Sequence, residues 1–115
     1  MEPERVRELM RENFGAVWSD EHHWVNVHDG KHARVELIAA LIATHFETED
    51  LLVQVDYEHT ARVSRSDAAR YIEPHLLTAD IQIANLAFTR FFFVSSNGVA
   101  ASWKRKRAES RGRGA

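Results

Sequence analysis

Three consecutive phenylalanines, Phe91 to Phe93, constrain the fold more than any other feature of this sequence. They lie in the stretch FTRFFFVS, which is rich in the aromatic and β-branched residues that favour strands. Because successive side chains of a strand point to opposite faces of the sheet, the three rings require apolar cover on both faces. We therefore expect helices on one face of this strand and a second layer or a partner on the other.

The residues after this strand predict a hairpin. Asn97-Gly98 is typical of a two-residue type I′ turn, in which both central residues have positive φ. With that loop, Phe92 pairs with Trp103 on the core face. Two residues further along, the same register places Arg90 opposite Arg105, so we expect the pairing to end near Lys104.

Hydrophobic periodicity predicts three helices. Apolar residues at helical spacing indicate amphipathic helices over residues 3–14 and 33–46. Ser64 and Asp67 have the spacing of a capping box, which predicts the start of a third helix. Pro74 should kink that helix or end it early.

Strict alternation of apolar and polar residues predicts the remaining strands. Residues 51–63 show it most clearly, and they form either one long strand or a pair that folds back near residues 58–59. A short strand is expected within residues 22–28, and another begins at Ile81.

These elements predict an α+β fold with an antiparallel or mixed sheet of four to six strands, about three helices packed on one face and a C-terminal β-meander. A chain of 115 residues has room for one domain. We place this domain at residues 1–103. Residues 104–115 form a basic tail that we expect to be disordered.

Composition indicates the compartment. The chain has no cysteine, which excludes disulfides and thiolate metal sites and favours a reducing environment. Its longest apolar run, LIAALIA, is seven residues long, whereas a membrane-spanning helix needs about 20. The charged amino terminus has no apolar segment of a secretory signal. We therefore expect a soluble, cytoplasmic protein with no membrane contact and no cofactor.

Charge is distributed unevenly along the chain. The tail holds six of the 15 basic residues and one of the 17 acidic residues, a charge of +5, which leaves residues 1–103 at −7. An acidic body favours a non-enzymatic protein-binding domain, such as an adaptor, an inhibitor or an immunity-like protein, that steers onto a basic partner. The candidate binding residues share a carboxylate and a predicted exposed position: Glu47, Glu49, Asp50, Asp56 and Glu58.

Two of these acids also fit a catalytic pair. On one strand, Asp56 and Glu58 would lie about 7 Å apart on the same face, a separation compatible with acid and base catalysis. A solvated polar face is the favoured interpretation, because nothing around the two acids indicates a pocket. The chain also contains no serine in a G-x-S-x-G context and no glycine-rich phosphate loop, so a non-enzymatic role is favoured over an enzyme.

The basic tail supports a second hypothesis, a nucleic-acid-associated protein. Cations beside a tryptophan can neutralise phosphates and stack a base. The candidate residues are Trp103, Lys104, Arg105, Lys106, Arg107, Arg111 and Arg113.

A third hypothesis, a metal-dependent enzyme, comes from the stretch EHHWVNVHDGKH, which holds four of the seven histidines. Its candidate ligands are His22, His28 and His32. The last two have the i, i+4 spacing of a helical metal site, but Asp29 and Gly30 between them disfavour a helix. Surface and turn histidines are therefore the favoured interpretation. A homodimer is compatible with all three hypotheses, because the phenylalanine strand needs extensive cover.

Overall fold

The computed structural model describes residues 3–14, 22–56 and 60–105, and within these ranges the chain forms three α-helices and eight strands. The helices are α1 (Pro3–Phe14), α2 (Val35–His45) and α3 (Ala68–Ile72), and a 3₁₀ turn, Glu73–His75, follows α3. The strands are β1 (Val25–Asn26), β2 (His28–Asp29), β3 (His32–Ala33), β4 (Asp50–Val55), β5 (Thr60–Ser64), β6 (Ile81–Asn85), β7 (Arg90–Val94) and β8 (Val99–Lys104). Pro74 lies in the turn that ends α3, as predicted.

Six of the strands form one antiparallel sheet, in the order β1-β8-β7-β6-β4-β5, and β2 and β3 form a separate small ribbon. The α+β fold class and the C-terminal meander of β6, β7 and β8 are confirmed. The alternating segment 51–63 folds back into the β4–β5 hairpin, which is one of the two alternatives that its sequence allowed. No helix in the described part of the chain is long and apolar enough to cross a membrane.

The three phenylalanines are buried on both faces of the sheet. Phe92 faces the cluster formed with α2 and α3, whereas Phe91 and Phe93 face the cluster formed with α1. Helix α1 is the exception to the predicted placement of helices on one face. It covers the opposite face with the apolar stripe of Val6, Met10 and Phe14, so the second layer belongs to this chain itself.

The turn between β7 and β8 differs from the prediction by one residue. Its loop has three residues, because the Ser95 amide donates to the Val99 carbonyl at 2.8 Å and the Gly98 amide donates to the Ser95 carbonyl at 3.0 Å. Gly98 has φ +93°, while Asn97 is not among the described residues with positive φ. A turn followed by one left-handed glycine is the common three-residue hairpin loop, whereas a type I′ turn requires positive φ at both positions.

This difference changes every pair in the hairpin. Phe91, rather than Phe92, lies opposite Trp103, and their ring centroids are 5.7 Å apart on the α1 side of the sheet. Arg90 lies opposite Lys104. Like charges therefore still oppose each other where β8 ends, as the prediction held, but one residue earlier.

Candidate protein-binding surface

The predicted acidic surface is paired with arginines. The three acids that follow α2 each contact one guanidinium: Glu47 with Arg90 at 3.1 Å, Glu49 with Arg65 at 3.7 Å, and Asp50 with Arg62 at 2.8 Å. Three positive charges therefore balance three negative charges at this segment. Its carboxylates are exposed, as predicted, but it carries no net negative charge with which to steer a basic partner.

Two of these arginines also cap helix α2. Arg90 Nη1 donates to the His45 carbonyl at 2.9 Å, and Arg65 Nη1 donates to the Phe46 carbonyl at 2.8 Å. The last carbonyls of a helix have no partner within the helix and carry partial negative charge, so cations bind there favourably. The arginines thus fix the end of α2 against β7 and the β5–α3 connection, and the acids pair with their outer sides.

Asp56 is engaged with the backbone of residue 80. Its amide donates to the Asp80 carbonyl at 2.8 Å, and its Oδ1 accepts the Asp80 amide at 3.0 Å. Asp56 has φ +55°, so the extended strand ends there. The predicted distance to Glu58 assumed that the strand continues beyond Asp56. Glu58 itself lies outside the described residues.

The candidate nucleic-acid residues are only partly described. Trp103 stacks on His22 at a centroid distance of 4.2 Å and meets Phe14 edge-on at 5.4 Å. Its ring is therefore packed within this chain and is not an open platform for a base. Lys104 and Arg105 are exposed. Lys106, Arg107, Arg111 and Arg113 lie outside the described residues, and nucleic-acid contact by the tail stays a prediction.

The histidines near residues 22–32 are separated. His22 packs on Trp103, the His28 ring nitrogen Nδ1 lies 3.1 Å from the Gly98 carbonyl, and His32 is exposed on β3. In the described ranges, no group of three His, Asp or Glu side chains has an arrangement that could hold a metal ion.

His45, the last residue of α2, joins this helix to β8. Its Nε2 lies 3.1 Å from the Trp103 carbonyl, so a proton on that nitrogen donates to the carbonyl. Burial lowers the pKa of His45 from its ordinary value, because the charged form loses its solvation. The hydrogen bond to the Trp103 carbonyl opposes this shift, and the charges of Arg90 and Lys104 add to it. His45 is therefore favoured in its neutral form.

Strand β5 forms one edge of the sheet, and no described strand pairs with its outer side. Beside it runs a groove of about 450 Å³ between β5 and α3, which we call the edge slot. Its lining combines apolar side chains with charged ones: Ala61, Arg62, Val63, Ser64, Asp67, Arg70 and Tyr71. Tyr71 is 37% exposed, and it is one of two large apolar side chains exposed in the described ranges.

The hydrogen-bond pattern between β4 and β5 shows which backbone groups of β5 point away from the sheet. The Arg65 amide donates to the Glu49 carbonyl at 2.6 Å, in register with the β4–β5 pairs. Bonded and non-bonded pairs alternate in an antiparallel ladder, so Val63 and Ala61 also bond to β4. The N–H and C=O groups of Thr60 and Arg62 therefore point away from the sheet.

Comparisons of the chain with protein-family models, with curated proteins and with solved structures give no significant match. The surface geometry is therefore the basis for a function. Sequence reasoning missed the edge slot and its exposed Tyr71. The alternation of apolar and polar residues predicted that one face of β5 is solvent-exposed. The position of this strand at the edge depends on the order of strands in the sheet, which the alternation does not show.

Proposed function

We propose that this chain is a small, non-enzymatic protein-binding domain that holds an extended segment of a partner along the outer side of β5. The observation that carries the proposal is the row of outward N–H and C=O groups at Thr60 and Arg62, next to a groove lined by α3. An exposed strand edge beside a helix is the arrangement by which many domains add a strand from a partner.

The slot offers two kinds of contact. Main-chain hydrogen bonds to β5 supply affinity that depends little on the partner's sequence. Ala61, Val63 and Tyr71 supply apolar surface for alternate side chains of the incoming strand. A half-exposed tyrosine is a common anchor at protein interfaces, because its ring is large and its hydroxyl stays hydrated.

Two of the five acids predicted to bind a partner, Glu49 and Asp50, fit this proposal at one end of the slot. Asp50 lies opposite Ser64 at the end of β5, and Glu49 precedes it. A basic side chain of the partner could compete there with Arg62 and Arg65 for these carboxylates. We place the interaction in the cytoplasm, since a chain without cysteine suits a reducing compartment.

A comparison of two substitutions at one position tests the proposal. R62P removes an outward amide and blocks an added strand, while the bonds to β4 made by Ala61 and Val63 remain. R62A removes the same side chain and keeps the amide. We expect displayed peptides selected on the wild-type domain to bind R62A with similar affinity and R62P at least about tenfold more weakly. Equal binding by both variants, with both folded by circular dichroism, would refute the proposal.

A further inference from the structure

We infer that the occupant of the edge slot is β5 of a second copy of this chain, paired antiparallel with Ala61 on the two-fold axis. The two six-stranded sheets then join into one continuous sheet. This inference rests on the proposed function, because it names the partner of the same slot.

The open backbone groups of β5 are complementary to themselves. With the axis at Ala61, Thr60 of one copy lies opposite Arg62 of the other, and both residues carry outward N–H and C=O groups. Each such pair exchanges two hydrogen bonds, and the symmetry repeats it on the other side of the axis. All the outward groups of Thr60 and Arg62 are thereby satisfied.

Axes at Arg62 and at Val63 also keep outward groups facing each other, and both are less favourable. An axis at Arg62 places two arginines directly opposite, which is destabilising for like charges on paired strands. An axis at Val63 requires the Ser64 carbonyl, which already accepts the Asp67 amide at 3.0 Å. Ala61 has neither conflict, and its small side chain permits close approach of the two strands.

The charges of the slot also favour a second copy over a partner of one sign. Arg62 pairs with Asp50 in its own chain, and Arg70 lies 3.9 Å from Asp67 with side-chain exposures of 83% and 59%. A strongly acidic or basic segment would meet like charge from one member of each pair. A second copy brings an acid for each base, and the loosely paired Asp67, just before α3, and Arg70, on α3, can exchange partners across the axis.

Because the chain contains no cysteine, a single introduced cysteine reports on this contact without background. Directly opposed residues in a non-bonded antiparallel pair have Cα atoms about 4.5 Å apart, which is within the range that a disulfide spans. In the full-length chain under mild oxidation, A61C is expected to form a covalent dimer on a non-reducing gel. R62C and V63C, the neighbouring controls, are expected to stay largely monomeric. Cross-linking of either control in preference to A61C would overturn the placement of the axis.

Light scattering on size-exclusion peaks provides the second readout. The wild-type chain and R62A are expected at twice the monomer mass of 13.2 kDa, and R62P at the monomer mass. A dimer that persists in R62P would overturn the inference. A wild-type monomer without A61C cross-linking would also overturn it. In that case the peptide comparison of R62P with R62A still decides the proposed function separately.

Discussion

Replacement of Gln82 by methionine is expected to stabilise the domain. Gln82 lies in β6 on the α1 side of the sheet with 0% of its surface exposed, and neither Oε1 nor Nε2 has a hydrogen-bond partner among the residues that the structure describes. In the unfolded chain, water bonds to both atoms. Folding removes these bonds, and no described group replaces them, whereas methionine fills a similar volume without polar atoms.

The size of the effect follows from the burial of this amide. A buried donor or acceptor without a partner costs about 1–3 kcal/mol, so Q82M should raise the free energy of unfolding by about that amount. For a domain near 100 residues, each kcal/mol shifts the melting temperature by about 4 °C. An increase of several degrees is therefore expected.

Gln54 provides the matched control, because it lies directly opposite Gln82 and is almost as buried. Its Nε2 donates to Thr60 Oγ1 at 3.2 Å, so Q54M removes this hydrogen bond and leaves the Thr60 hydroxyl without its donor. Urea unfolding at equilibrium, followed by tryptophan fluorescence, should rank Q82M above the wild type and Q54M at or below it. If Q82M destabilised the domain as much as Q54M, the amide of Gln82 would have to be satisfied in solution, and the reasoning would be refuted.

Three further predictions concern stability. R90A should lower the free energy of unfolding by about 1.5–3 kcal/mol, because it removes the cap of α2. E47A should change it by less than about 0.5 kcal/mol, because Glu47 is 74% exposed. Equal losses for the two variants in urea unfolding would contradict this expectation. G98A should destabilise the domain, because Gly98 has positive φ and an added Cβ would lie 2.3 Å from His28 Nδ1. In a double-mutant cycle, H28A should recover part of the lost stability, whereas strictly additive effects would contradict the clash with His28. The pKa of His45 is lowered in the folded chain, so the unfolded chain binds this proton first and the free energy of unfolding should fall as pH drops below 6.5. In a pH series of urea unfolding, H45Q should make this dependence on pH weaker. The same dependence in H45Q and the wild type would contradict a role for His45.

Local pattern was enough to locate most of the elements. Apolar spacing placed a helix over 3–14 and alternation placed strands within 51–63, because each pattern reflects which side of an element is buried. The register of the β7–β8 hairpin was missed by one residue. Asn97-Gly98 is compatible with loops of two or three residues, and the choice shows only in the folded chain, in the φ of Asn97 and the hydrogen bonds of Ser95.

The candidate surface depended on contacts that are distant in the sequence. The exposure of Glu47 and Glu49 was predictable from their position after a helix. Their arginine partners were not, since Arg90 comes from β7 and Arg65 from the β5–α3 connection, and only the folded sheet brings them to the end of α2. For the same reason, periodicity identified the wet face of β5 but not its place at the edge.

Amide hydrogen exchange along β5, resolved by residue in the full-length chain, shows whether the outer side of this strand binds a partner. Ala61 and Val63 bond to β4 and provide an internal reference within the same strand. We expect the amides of Thr60 and Arg62 to exchange rapidly in dilute protein and to become protected as the protein concentration rises or a binding peptide is added. Rapid exchange of Thr60 and Arg62 under every condition, beside protected neighbours, would show that the outer side of β5 binds neither a peptide nor a second copy.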